Sequence, residues 1–296
     1  MTKLTPKDLE RLEQYKQILK EYAYELKKLE KEKESKAFLQ SSKLFKDAIK
    51  RQGSLPFKIE INAVFWAYDL INLARELVIS FCWMEAHANH YKKNNPLGTE
   101  PSHSSVYVSF YADNCVTLID SFKDKLALMV WAFYCSFNPE VKVLIYEEVI
   151  GRLKNPKRFN IKLKNPKAFL NYLKILQSPH FKIIEKQRHL KIHRLSPRVE
   201  MHKVGPHQYD QYMLPLKDPK DINAWRKALL KKCNNNSAMA GQIEKGCYID
   251  GILYDRRPLK GRLFEYRNVK KDIKNCVLDS LFAFSKCLNL LKRRIQ

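Results

Sequence analysis

The residues with the clearest chemical potential lie between Arg188 and His193, in the run Arg-His-Leu-Lys-Ile-His, and Arg194 follows directly. A histidine exchanges protons near neutral pH, and an arginine holds a phosphate with its planar fork of donors. Together they suffice to cleave a phosphodiester without a metal ion. His193 would act as general acid or base, and Arg188 would stabilise the negative charge that develops on phosphorus.

Two other interpretations fit the same run. In the first, Lys191, His193 and Arg194 form an ordinary basic helix end, where positive charge favours the negative end of the helix dipole. In the second, His189 and His193, four residues apart and in line with Glu185, bind a metal ion. The H-E-x-x-H pattern is absent and the sequence places no further ligand. We therefore predict no metal and no cofactor.

The helix that carries these residues limits how they can meet. Ser178 and Pro179 predict a helix start, so residues 181–195 should be helical. Arg188 and His193 are five positions apart, which is about 140° around a regular helix. They do not share one face, so a common site requires a neighbouring surface, such as a two-fold dimer interface.

The spacing resembles the R-x4-6-H motif of the HEPN superfamily, matched here by Arg188, the polar His189 and His193. The polar position is often Asn or Asp in that superfamily. The resemblance implies a dimerising helical bundle, and many members are metal-independent ribonucleases of toxin, antiviral or RNA-processing systems. Others are non-catalytic nucleotide-binding or assembly modules. It implies RNA as substrate, Arg188, His193 and His189 as catalytic residues, and an antitoxin or defence-system partner.

The charge of the chain supports a polyanionic partner. Lys and Arg total 55 against 31 Asp and Glu, a formal net charge of +24. Such a surplus opposes compaction and is typical of nucleic-acid-binding proteins, although a solvated lysine-rich surface is the alternative. Basic and aromatic residues alternate from Arg194 to Tyr212, as in single-stranded RNA binding. We predict RNA contacts from Lys191, Arg194, Arg198 and Lys203.

Other titratable residues have weaker signals. Asp113 and Asp120 are seven apart on a predicted helix, so they share one stripe and could orient Arg188 or His193. Solvated or capping carboxylates are the alternative for both. His87 and His90, near the end of another predicted helix, are expected at the surface.

Composition also predicts the compartment. The seven cysteines are odd in number and never spaced as C-x-x-C, which favours reduced thiols over disulfides or a zinc knuckle. The first residues are too charged for a secretory signal, and no apolar run approaches the roughly 18 residues that cross a bilayer. We predict a cytoplasmic protein without a membrane partner. A weakly amphipathic run, Lys286–Arg294, leaves a membrane-surface role as an alternative.

Apolar periodicity predicts an all-α fold. Two long helices, 59–91 and 103–137, should form the antiparallel centre of a HEPN-like bundle. Shorter helices are expected at 139–153, 165–176 and 219–233, and Arg257-Pro258 should precede a final helix that runs to Arg294. Residues 197–219 should be a loop, with ambiguous strand patterns at 141–146 and 248–253. The predicted segments are a charged helical arm (1–52), the bundle with the motif (53–210) and a helical extension packing on it (211–296).

Overall fold

Long helices dominate the computed structural model, and the strands have two to seven residues each. The predicted all-α bundle is confirmed. The structure describes residues 5–51, 60–94, 103–134, 145–155, 166–185, 198–200, 211–258 and 263–295.

The N-terminal region is two helices rather than one arm. α1 (Pro6–Glu30) begins with a capping box in which Thr5 Oγ1 accepts from the Asp8 amide at 3.2 Å, and the chain breaks before α2 (Lys33–Arg51). α1 packs along α3 (Glu60–Asn94), and its first half leaves Leu12 exposed. α2 is not an exposed arm, because Phe38 and Phe45 are buried in the main core.

Two long helices form an antiparallel pair, as predicted. They are α3 (Glu60–Asn94) and α4 (His103–Tyr134). Three cross-contacts fix their direction, since the partner number falls along α4 as it rises along α3. The contacts are Asp69 with Lys125 at 2.6 Å, Ser80 with Asn114 at 2.8 Å, and His90 with Ser104 at 3.0 Å.

The last helix, α10 (Tyr266–Ile295), belongs to this core. It packs against α2, α3 and α4. The ring of Phe284 lies 5.9 Å from the ring of Phe38 in α2 and 5.7 Å from that of Phe122 in α4. α10 is therefore the element that joins helices from the beginning and the middle of the chain.

Shorter helices follow α4. They are α5 (Tyr146–Lys154), α6 (Pro166–Lys174) with a 3₁₀ turn at Ile175–Gln177, and α7 (residues 179–185). The Asp124 carboxylate accepts from the amide of Tyr146 at 3.1 Å, which satisfies a free N–H at the start of α5. The hydroxyl of buried Tyr146 donates to the carbonyl of Leu173, so α5 and α6 are tied together.

A second compact unit, residues 203–263, has its own small core. Its antiparallel sheet has the order β2–β4–β3, from β2 (Gln211–Leu216), β3 (Tyr248–Ile249) and β4 (Ile252–Pro258). Two helices lie between β2 and β3 in sequence, α8 (Pro219–Lys232) and α9 (Ser237–Lys245). Asp250 and Gly251 have φ of 50° and 77°, which suits a two-residue hairpin turn.

Strands correct the loop predicted at 197–219. β2 lies within it, and so does β1 (Arg198–Glu200), which pairs with β5 (Leu263–Glu265). No clear strand pattern is visible in the sequence here because β1 has three residues and β2 contains Pro215, which pairs with Tyr254 of β4. The ambiguous pattern at 248–253 is the β3–β4 hairpin, and α9 was not predicted.

The grouping of the chain differs from the predicted segments. The first unit combines residues 1–202 with 264–296, so the expected arm and the final helix share one core. The expected extension 211–296 is divided between the two units. Its helical end returns to the first unit because α10 carries a continuous apolar face that α2 and α4 cover.

Replacing a central aromatic ring tests this arrangement. Phe284→Ala should lower the free energy of unfolding by about 3–5 kcal/mol, as expected for a buried phenylalanine. Phe110→Ala is the control, because this ring is 60% exposed, and its effect should stay within about 0.5 kcal/mol. Urea denaturation followed by circular dichroism measures both. Equal losses in the two variants would contradict the central position of α10.

Candidate functional site

α7 is fixed to the bundle through its apolar and polar sides. Phe181 and Ile184 are buried in the main core. On the polar side, the Nδ1 atom of His180 lies 2.6 Å from a carboxylate oxygen of Asp272, and its Nε2 atom lies 3.0 Å from the side-chain nitrogen of Asn275. Both partners are in α10, so the helix that precedes the Arg188–His193 run is held by the last helix of the chain.

Lys123 is the second anchor of α7 and was not predicted. Only 6% of its side chain is exposed, and its ammonium contacts Glu147 of α5 at 2.9 Å and Glu185, the last described residue of α7. It also lies 4.5 Å from the ring centre of Tyr146. Burial disfavours the charged lysine, but the hydrogen bonds that its ammonium donates to Glu185 and Glu147 outweigh this effect and raise the pKa of Lys123. The sequence signal was a lysine on the apolar face of α4.

The predicted catalytic residues lie beyond this anchor. Arg188, His189 and His193 are outside the described residues, as are the predicted RNA contacts Lys191, Arg194 and Lys203. Arg198 opens β1, where the backbone alone is described. The motif therefore stays a prediction, and so does the metal alternative at Glu185, His189 and His193.

The two acids proposed to orient the motif both lie on α4. Asp120 is buried and Asp113 is partly buried, so a fully solvated carboxylate does not describe either one. Each takes part in an interaction within the protein. Their orienting role is untested because Arg188 and His193 lie outside the described residues.

His87 and His90 are not at the surface, which corrects the prediction. Their exposed fractions are 8% and 9%, because α1 and the start of α4 cover this end of α3. His87 belongs to an aromatic cluster (Tyr22, Trp83, His87, Tyr107 and Tyr111). Its ring centre lies 4.8 Å from that of Tyr107 and 5.7 Å from that of Tyr111. Burial, together with the nearby charge of His90, lowers the pKa of His87 to about 4.

The second unit presents a helix–turn–helix followed by a hairpin. Residues 233–236 form the turn between α8 and α9, and β3 and β4 form the hairpin. Trp225 of α8 donates its ring N–H to Asp255 of β4 at 2.8 Å, which fixes the helix on the sheet. The guanidinium of Arg226 contacts the Glu244 carboxylate at 2.6 Å, which links α8 to α9.

The described residues contain neither a metal-binding cluster nor a membrane-spanning helix. Within the described part of the chain, no group of three or more His, Cys, Asp or Glu side chains is placed to hold a metal ion. None of the helices described is both long enough and apolar enough to cross a bilayer. The six described cysteines are buried free thiols, and burial raises the pKa of Cys82 to about 12.

Comparisons with known proteins give no family assignment. No protein-family model, no curated protein and no solved structure matches the chain.

The low pKa of His87 predicts a pH-dependent loss of stability. In the unfolded chain this histidine binds a proton below about pH 6.5, whereas in the folded protein it does so only near pH 4. The stability that neutral His87 contributes to the folded protein is therefore fully present above pH 6.5 and is lost as the pH falls toward 4. His87→Phe, which keeps a ring in the cluster, should reduce that loss by on the order of 1–2 kcal/mol, allowing for solvent screening.

Urea denaturation of both proteins at pH 7 and pH 4 measures the effect. The stability gap between variant and wild type should shift in favour of the variant at the lower pH. A gap that is the same at both pH values would show that His87 protonates equally well in the folded protein.

Proposed function

We propose that this protein is a metal-independent endoribonuclease of HEPN type, in which Arg188 and His193 cleave RNA and His189 assists. The 2′-OH of the RNA attacks the adjacent phosphate, forming a 2′,3′-cyclic phosphate and expelling the 5′-oxygen of the next nucleotide. His193 transfers protons, and Arg188 stabilises the charge on the pentacoordinate phosphorus. We place this activity in the cytoplasm, in a toxin or defence context with an antitoxin or defence-system partner.

The position of the motif carries the proposal. Arg188 follows Glu185 by three residues, and Glu185 is the last described residue of α7, which is held by Lys123, Phe181 and Ile184. Catalytic groups need positions fixed to within about 0.5 Å, which rigid, packed elements supply better than free loops. A helix anchored to α4 and α10 is a suitable base for such a site.

The positive net charge of the chain is the second observation that supports the ribonuclease proposal. The +24 net charge favours binding of RNA phosphates, with Lys191, Arg194, Arg198 and Lys203 as the proposed contacts near the motif. Asp113 and Asp120 would orient the arginine or histidine from α4.

A non-catalytic nucleic-acid-binding protein is the second candidate function. It is favoured by the second unit, where helix, short turn, helix and hairpin follow one another as in helix–turn–helix modules, whose second helix contacts nucleic acid. The corresponding helix, α9, exposes Gln242 and Lys245. Under this alternative the wild-type protein binds nucleic acid and leaves RNA intact.

Substitutions in the motif test the catalytic proposal. Arg188→Ala and His193→Ala should each lower the RNA cleavage rate by about 100-fold or more, the scale expected for proton-transfer and charge-stabilising groups. His189→Ala should cost less. Lys20→Ala is the control, since it removes one exposed charge from α1, to which no role in RNA binding or cleavage is assigned, and its cleavage rate should stay within about two-fold of wild type.

Rates are measured with a fluorescently labelled RNA, and thermal melting confirms that each variant is folded. Unchanged cleavage in His193→Ala would assign the chemistry to other residues. Wild-type protein that binds RNA without cutting it would favour the non-catalytic candidate.

A composite site, meaning one built from two copies of the motif helix, also predicts a homodimer. Because Arg188 and His193 diverge on a regular helix, two motif helices should meet across a two-fold axis. Sedimentation velocity at micromolar concentration should give a species of twice the 35.0 kDa chain mass. A monomer over the whole concentration range in which RNA is cleaved would contradict the composite site.

A further inference from the structure

A cavity of about 220 Å³ lies between α2 and α3, in the first unit. It is lined by four cationic side chains, one carboxylate, one serine and the apolar side chains of Phe38, Leu39 and Ile71. The polar residues are Ser42, Lys43, Lys46, Asp47 and Lys50 of α2, and Arg75 of α3. None of them was selected from the sequence, because the pocket combines residues more than twenty positions apart.

The three lysines form a line of positive charge. Lys43, Lys46 and Lys50 are spaced i, i+3 and i+7, so they lie on one face of α2 over about 10 Å of helix length. Arg75 faces them from α3. In the described part of the chain, none of these four cations forms an ion pair, and Asp47 is the one acid in the wall. Closely spaced like charges repel, so an anion that entered would relieve the repulsion.

Ser42 adds an unsatisfied polar group to the same wall. The residue is 7% exposed, and its hydroxyl has no hydrogen-bond partner among the described residues. A buried hydroxyl left without a partner costs about 1–3 kcal/mol. The oxygen is closed to solvent as placed, so a rotation of the side chain toward the cavity would let a ligand oxygen supply the missing hydrogen bond.

We propose that this pocket binds a triphosphate group, contributed by a nucleoside triphosphate or by inorganic triphosphate. The volume is below the 300 Å³ or so at which pockets enclose a drug-sized ligand, so it suits a chain of phosphates rather than a whole nucleotide. When the ligand is a nucleoside triphosphate, its nucleobase lies at the mouth of the pocket, against the exposed side chain of Leu39. The line of lysines contacts successive phosphates, and Arg75 holds one of them with two donors.

Calorimetric titration of the full chain in EDTA tests the proposal, with ATP, inorganic triphosphate and AMP as the probes. ATP should bind in the micromolar range and AMP at least ten-fold more weakly, because AMP carries one phosphate. The double variant Lys46→Gln/Arg75→Gln should weaken ATP binding at least ten-fold, since one charged hydrogen bond contributes about that factor. The double variant Lys20→Gln/Lys27→Gln, on the exposed side of α1, loses the same charge and should stay within two-fold.

Two single variants sharpen the test. Asp47→Asn should strengthen binding, because it removes the one carboxylate from the wall. Ser42→Ala should weaken binding while leaving thermal stability equal or higher, because no hydroxyl is then buried without a partner. Comparable affinities for ATP and inorganic triphosphate mean that the phosphates alone are recognised, and a clear preference for ATP means that the nucleoside contributes. Both results support the pocket.

Other results overturn the proposal. No binding of ATP or inorganic triphosphate at millimolar concentration would do so, and so would equal losses in the pocket variant and the α1 control. A pocket variant that lowers affinity for an RNA oligonucleotide but not for triphosphate would make this wall part of an RNA surface instead. None of these outcomes depends on RNA cleavage at Arg188 and His193.

Discussion

The packing of α10 against helices from both the start and the middle of the chain is the constraint on which the first unit depends. Phe284 places one ring between α2 and α4, and a buried acid, Glu85 of α3, ties α10 to the central pair. The hydroxyl of Tyr266 donates a hydrogen bond to the Glu85 carboxylate, and Lys270 forms an ion pair with the same carboxylate. Removing one partner of a buried charge costs about 3–5 kcal/mol, so this contact specifies where α10 docks.

The same helix holds α7, which precedes the proposed motif in sequence. Asp272 and Asn275 of α10 hold His180, and Lys123 of α4 holds Glu185, so both ends of the described part of α7 are fixed. The catalytic proposal depends on these contacts, because Arg188 follows them directly in the sequence. If the catalytic proposal is right, a variant that loosens α10 should lower both the stability of the protein and its RNA cleavage.

The sequence predicted the long elements and missed what long-range contacts decide. α3, α4, α8 and α10 were predictable because their apolar residues repeat over many turns, and Asp218–Pro219 marks the start of α8. The burial of His87 was not predictable, because it depends on the start of α4 covering α3. The β2–β4 ladder was missed because pairing between strands some forty residues apart leaves little local pattern.

The candidate sites divide in the same way. The Arg188–His193 run was visible in sequence because its residues are adjacent, whereas Lys123 with its two acids and the cavity between α2 and α3 exist only once the helices pack. Periodicity places a residue on a face, but it does not say which other face lies opposite. A histidine near a helix end was therefore assigned to solvent, and four dispersed cations were not recognised as one wall.

The chemical ends left on cleaved RNA test the central claim most directly. The purified protein is incubated with a defined RNA in excess EDTA, and the products are analysed by mass spectrometry. The account predicts fragments with 2′,3′-cyclic phosphate and 5′-hydroxyl ends, because the attacking group is the neighbouring 2′-OH and no metal is needed. Fragments with 3′-hydroxyl and 5′-phosphate ends, or cleavage that EDTA abolishes, would contradict it.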